Sequence, residues 1–315
     1  MRAGGAGGAG GAGGVGRHGA GRLSSQHCSS MARRLAVVRS VLRIENRESF
    51  AGLASYRKSI RAVLYGSHKR PATIRRYLAT IGRAHLAAEL LSPCASEPVR
   101  LALKEMSRAQ PARQRQARPL GWAEIKQFLE TAGKGIRADR ERALLCVAYD
   151  TMARRSELVA LDLEDLTFSK DGTGAALIRK SKTDQEGEGA VAYLSRETVR
   201  HLKVWKKAAK ITEGAVFRRL VGRNVVGPRL HVDMIADIFK RVGRWISLPE
   251  KEVAAVSGHS IRVGATQDML TLNIDLASVM QAGRWKSTHM PMRYGEHVIA
   301  ARGGMARAAA KQGRD

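Results

Sequence analysis

Between Ser257 and Tyr294 the chain reads SGHSIRVGATQDMLTLNIDLASVMQAGRWKSTHMPMRY, and no other stretch ties polar to apolar positions so tightly. Ile261, Ala265, Met269 and Leu270 recur at helical spacing, so His259 and Arg262, three apart, leave one face of a helix's first turn. A helix N-terminus presents free N–H groups and partial positive charge, and a guanidinium adds a permanently charged fork for anionic oxygens. The imidazole contributes a group that titrates near neutrality. A second helix is expected from Leu276 to Ala282, capped by Asp275 and ended by Gly283 in the manner of a C-terminal glycine. Trp285 then falls in a loop, and Ser287 is placed to cap a short helix carrying Tyr294. The stretch sets a phenol beside an anion site.

The rest of the chain suits an anionic ligand. Its 315 residues carry 55 Lys and Arg against 28 Asp and Glu, a formal charge of +27, which implies a polyanionic partner such as nucleic acid. The cations are spread along most of the length, unlike a single membrane-binding basic helix. Aromatic residues make up only 5% of the chain, which disfavours single-strand stacking platforms and points to backbone contacts on duplex. No apolar run reaches 18 residues, so no transmembrane helix and no membrane partner are expected. Cys28, Cys94 and Cys146 are odd in number and widely spaced, giving neither a disulfide framework nor a CxxC zinc site and fitting a reducing cytoplasm. HExxH, GxxxxGK[ST] and EF-hand patterns are missing, so no metal and no cofactor are expected and the chemistry falls to side chains.

Along the chain, residues 1–39 read as a tail that opens with a Gly/Ala low-complexity run, and Met31 is an alternative start. Residues 40–112 are expected to form a small helical domain, weakly patterned before Arg70 and clearer from Pro71 to Leu91. There Ile74, Leu78, Ile81, Leu86 and Leu90 make a helical stripe, with Arg75, Arg76 and Arg83 on a basic outer face. A short helix at Pro98–Met106 and a basic linker at 113–119 follow, then a larger domain over 120–302 and a tail over 303–315. This domain opens with helices at Gly121–Thr131, with Gly133 as stop, and Asp139–Thr151. Arg154 and Glu157 stand i, i+3 and would share a helix face, whereas Arg155 projects roughly 100° away. Leu163–Phe168, Ala175–Arg179 and Ala190–Leu194 read as strands, the first two joined by a hairpin turn. Lys182 lies on the Gly-flanked loop between the last two, with Lys180 a competing candidate. Helices are expected at Arg196–Ala209 and Val232–Trp245, and the basic run RRLVGRNVVGPR between them, with Arg223, reads as a DNA-facing connection.

Arg154-x-Ser156-Glu157-Leu158, then His259-x-x-Arg262, Gly283-x-Trp285 and Tyr294 together resemble the boxes of the tyrosine recombinase (phage integrase) family. The likeness covers roughly residues 71–300. The family more usually has His where Trp285 stands, commonly has Gly at the position of Met152 or Ala153, and normally carries a full helical hairpin where this chain offers only Ser40–Lys69. The resemblance implies a mainly α fold with a small antiparallel β-sheet, a helical core-binding domain followed by a tyrosine-recombinase catalytic domain, with DNA clamped between them. It implies Tyr294 as nucleophile, Arg154 and Arg262 on the phosphate with Glu157 supporting, His259 as acid/base group, Lys182 as proton donor and Trp285 as an indole donor. It further implies double-stranded DNA as partner, with Arg75, Arg76, Arg83, Arg155 and Arg223 as DNA-facing cations, and a homotetramer on DNA whose C-terminal segment, with Val298 and Ile299, docks on a neighbouring copy. The expected setting is the cytoplasm, on nucleoid DNA. Two other readings stay open at this level: a type IB topoisomerase-like enzyme, and a DNA-binding relic of a recombinase impaired in cleavage.

Overall fold

The computed structural model describes residues 71–109, 115–179, 189–222 and 225–314. The expectations for residues 1–70, Lys180, Lys182 and Arg223 lie outside these residues. Two compact units divide between Gln114 and Arg115.

In the first unit, α1 (Pro71–Ala87) and α2 (Glu97–Ala109) flank a 3₁₀ turn at Pro93–Ala95. Their small core is Ile74, Leu78, Val99, Ala102 and Met106, with Ile81 and Leu103 against it. The expected stripe holds only through Ile81: α1 ends at Ala87, and Leu86 (76% exposed) and Leu90 face away from that core. Arg75, Arg76 and Arg83 are exposed, as the stripe requires. The Arg75 guanidinium donates to Ser107 Oγ at 2.7 Å, tying α1 to α2.

The second unit is organised around α4 (Ile136–Thr151), which begins three residues before the expected Asp139. Ala143, Leu144, Leu145, Cys146, Val147 and Ala148 are all buried, so this helix is enclosed on every side rather than amphipathic. Around it lie α3 (Trp122–Thr131), α5 (Arg155–Ala160), a three-stranded antiparallel sheet of β1 (Leu166–Phe168), β2 (Gly174–Ile178) and β3 (Ala190–Leu194), and α6 (Arg196–Ala208). Asp150 near the end of α4 accepts from Ser195 N–H and Thr198 Oγ1, both at 2.6 Å, which fixes the start of α6. Trp205, fully buried on α6, donates its indole N–H to Val216 O at 2.8 Å.

Several local expectations are corrected. Leu163–Asp165 is a 3₁₀ turn rather than strand, because the Asp165 carboxylate reaches back to the Asp162 N–H at 2.9 Å. The helix α3 is ended by Ala132 in extended conformation, so Gly133 is not the stop. The basic run after α6 is a β-hairpin of β4 (Arg218–Val221) and β5 (Val225–Arg229), in register at Leu220 and Val226. Its period of two, with Arg218 and Leu220 half-buried while Arg219 and Val221 face solvent, was hidden because two adjacent arginines open the strand and occupy both of its faces. The helices α7 (Met234–Trp245) and α8 (Glu250–Ala255) complete this side, with Ile235, Ile238, Phe239 and Val242 of α7 facing the core.

Arg118, within the expected linker, is fastened to the second unit. Its N–H donates to Ala255 O at 3.0 Å, and its guanidinium meets Glu252 at 3.0 Å and Glu124 at 2.7 Å. Leu120 N–H then donates to Ser260 O at 3.0 Å, laying this segment along α9 (Ser260–Thr271). Gly264 permits the approach, since any side chain there would strike the Leu120 carbonyl. The chain ends in α10 (Leu276–Gly283), α11 (His289–Tyr294), α12 (Glu296–Arg302) and α13 (Gly304–Lys311). No helix among the described residues is long and apolar enough to cross a membrane. The architecture is mainly α with small antiparallel sheets, as the sequence led one to expect.

Candidate active site

The site forms where α4 stops. Met152 takes a left-handed conformation (φ 47°) as the C-cap, a position that glycine would occupy without strain, and the chain turns extended through Arg154 into α5. Arg154 (φ −70°, ψ 156°) is the residue that caps α5, so it does not share a helix face with Glu157 as expected. What joins them is the need of a helix start for an acceptor: Glu157 accepts the Arg154 N–H at 2.9 Å and its guanidinium at 2.6 Å. Arg155, the first residue of α5, is exposed and reaches Asp233 at 3.3 Å. The two arginines do diverge, but because one is a cap and the other begins the helix.

Arg262 leaves the first turn of α9 and is only 4% exposed. Its fork donates to Met152 O at 2.5 Å and to Gly283 O, locking the end of α4 to the end of α10. Its guanidinium lies 4.4 Å from the centroid of the Trp285 ring. The Trp285 ring in turn meets Tyr294 edge to face, with centroids 5.9 Å apart and planes at 73°. Tyr294 is the last residue of α11, and its carbonyl accepts from Gln116 Nε2 at 3.1 Å and Gln267 Nε2 at 2.9 Å. Burial pushes the Arg262 pKa down, to about 10, with Arg154 and Arg284 adding to the effect and Glu157 and Tyr294 opposing it. It stays cationic at neutral pH. For Glu157 burial acts upward, but the Arg154 N–H, the Arg154 guanidinium and Arg284 outweigh it and hold the carboxyl below the ordinary range.

His259 is the residue before α9, exposed, with its N–H donating to Ser257 Oγ at 3.2 Å. It stands three positions before Arg262 in the chain. The structure therefore brings Arg154, Glu157, Arg262, Trp285 and Tyr294 together, whereas Arg155 points to Asp233 and the first unit's arginines lie on another body. Among the described residues no group of three or more His, Cys, Asp or Glu side chains comes together as a metal site.

Two readings of the last segment change. Asp275 does cap α10, accepting from Ser278 N–H at 2.9 Å, but Gly283 is the last helical residue, and Arg284 is the left-handed one (φ 53°, ψ 47°). Glycine at 283 has a different cause: any side chain there would collide with the Trp285 ring, so the bare backbone is the surface on which the indole lies. The short helix α11 is preceded by Thr288, not Ser287, and has no side-chain cap. Sequence reasoning also missed Arg284, whose guanidinium meets Glu157 and Thr151 O, each at 2.8 Å, and the two glutamines that hold Tyr294. The signal for Arg284 was a charged residue immediately before Trp285; Gln116 and Gln267 gave none, because their bonds go to backbone.

After Tyr294 the chain turns at Gly295 and α12 packs on α9 within the same chain. Val298 and Ile299 are half-buried, and Arg302 donates to the carbonyls of Leu270 and Thr271 and to Asn273 Oδ1 at 2.8 Å.

The chain is similar to several known proteins. An integrase/recombinase xerD homolog of Selenomonas ruminantium is 29% identical over 236 residues, covering 70% of this chain and 67% of that one. The recombinase cre of Escherichia phage P1 is 24% identical over 252 residues, covering 75% and 73%. The Tn1549 transposon integrase, solved in complex with transposon right end DNA, shares the fold at a TM-score of 0.58 and 15% identity, over 93% of this chain and 95% of that one. The phage integrase family pattern matches residues 120–299, more than half of the chain and the whole of the guanidinium, indole and phenol cluster just described. The chain is a member of the phage integrase family.

Proposed function

We propose that the protein is a site-specific tyrosine recombinase that cuts and rejoins double-stranded DNA through a 3′-phosphotyrosine intermediate. The observation that carries this reading is the unbroken series Arg262–Trp285–Tyr294, in which a buried cation, an indole and a phenol touch in turn. A phosphodiester resists attack because its charge repels nucleophiles and the transition state spreads further charge over equatorial oxygens. Arg154 and Arg262 would meet those oxygens from fixed directions, donors of this kind being worth about 10²–10³ each in rate. A free phenol, with a pKa near 10, is only about 0.1% ionised at pH 7, so the nucleophile needs a base and a cationic setting.

In this reading His259 takes the phenolic proton, the Tyr294 oxygen bonds to phosphorus, and the bond from phosphorus to the 5′ oxygen breaks. Lys182 protonates the departing oxygen. Trp285 donates an N–H and excludes water but moves no proton. Attack by a 5′-hydroxyl from another strand reverses the steps, and no energy source is consumed because the phosphotyrosine conserves the ester. Arg75, Arg76, Arg83, Arg155 and Arg223 would contact the duplex backbone.

We infer the division of labour to follow: a core-binding domain over 40–112 and a catalytic domain over 120–302, assembling as a tetramer on DNA in the cytoplasm, on a mobile element or the nucleoid. On assembly the segment with Val298 and Ile299 would leave its seat on α9 for the same seat on a neighbour, an exchange of identical contacts. The functional reading is tested by incubating the protein with genomic fragments and sequencing those that become covalently attached. Attachment confined to a defined sequence is the expected result.

A further inference from the structure

Arg284 occupies a position that backbone geometry disfavours for it. A left-handed residue after a helix is cheapest as glycine, and the preceding residue, Gly283, shows that the chain uses glycine within one position of it. An arginine persisting there must be held by its side chain. That side chain is nearly buried, with one nitrogen 2.8 Å from Glu157 Oε2 and another 2.8 Å from Thr151 O. The neighbouring carbonyl, Met152 O, is taken by Arg262, and the other arm of Arg262 takes Gly283 O beside Arg284 itself. Arg154, Glu157, Arg284 and Arg262 thus form a closed ring through the ends of α4 and α10, with one carboxylate among three guanidiniums.

We infer that Arg284 is a positioning residue for the cleavage reaction, an inference that rests on the functional reading above. Glu157 is the only carboxylate of the ring, and among the described residues the Arg154 guanidinium hydrogen-bonds to it alone. Arg284 shares Glu157 Oε2 with the Arg154 N–H, and the two donors together keep that carboxylate from turning to take both arms of Arg154, which leaves an arm of Arg154 for a phosphate oxygen. Its own charge adds to the repulsion that disfavours the cluster until an anion enters, so the same residue raises the site's appetite for phosphate. Arg284 itself touches no reacting atom; it acts through Glu157.

The test compares wild type, Arg284→Gly, Glu157→Gln and the double variant on a nicked duplex selected from a randomised pool by covalent capture on the wild type. Arg284→Gly removes the side chain and relieves the left-handed strain, so its melting temperature should stay close to wild type. Its single-turnover cleavage rate should fall at least about tenfold while duplex affinity changes less than about twofold, and the double variant should be no slower than Glu157→Gln alone. Arg284→Lys, which keeps the charge but cannot fork to two acceptors, should recover only part of the rate. Cleavage by Arg284→Gly within twofold of wild type, or losses that multiply in the double variant, would overturn the inference while leaving the function standing. A wild type that captures no duplex would sink both together.

Discussion

The Arg262 guanidinium stands 4.4 Å from the Trp285 ring centroid because Gly283 offers the indole a bare backbone to lie against. A methyl group at 283 cannot be accommodated without displacing the ring, since the helix backbone on the other side is fixed by the bond from Arg262 to Gly283 O. Gly283→Ala is expected to lower cleavage at least about tenfold with duplex affinity kept, and to shift the tryptophan emission of the folded protein. Unchanged emission and rate would mean that the indole does not depend on that surface.

The arginines at 154 and 155 make a second comparison. Arg154 joins the buried ring through Glu157, while Arg155 is exposed beside Asp233. Arg154→Ala should cost about two orders of magnitude or more in cleavage. Arg155→Ala should mainly weaken binding and reduce the salt slope of the association constant by about one unit. Equal losses in the chemical step would remove the distinction.

How much of this was legible in the sequence depends on the kind of interaction. The run from His259 to Tyr294 was readable because helical spacing and rare residue types coincide; periodicity supplied the individual helices and three short strands, and the family resemblance supplied the mainly α fold that contains them. The union of Arg154 with Glu157 was found for the wrong reason: spacing of three serves a helix face and a capping box alike, and only the extended backbone at Arg154 separates them. Arg284 was passed over because a glycine one residue earlier already explained the helix end. The β4–β5 hairpin was lost because the adjacent arginines that open β4 and the Gly227-Pro228 pair within β5 read as a charged connection before they read as strands. Gln116 and Gln267 reach the Tyr294 carbonyl from 178 and 27 residues away, a relation no local pattern encodes.

Glu157 gives a pH prediction. Its carboxyl is held below its ordinary value of 4.5 in the folded protein, so the stability it contributes is present above that value and is lost as pH falls through the depressed one. The melting temperature of wild type should therefore exceed that of Glu157→Gln at pH 7 and converge with it under acid. A gap that is constant across this range would show that the carboxylate is not held by Arg154 and Arg284.

Truncation after Glu296 addresses assembly. If the segment with Val298 and Ile299 docks on a neighbour, the shortened protein should bind a single site with affinity within about threefold of wild type, yet fail to give a tetramer by native mass measurement on a two-site duplex. Survival of the tetramer would show that the seat of α12 on its own α9 is the functional one.

The central claim is that Tyr294 carries the covalent bond. A nicked suicide duplex should trap a detergent-resistant adduct with wild type and none with Tyr294→Phe, while non-covalent affinity changes less than about twofold. Peptide mapping should then place the DNA on Tyr294. An adduct that persists in Tyr294→Phe, or that maps to Tyr149 or Tyr193, would contradict the account.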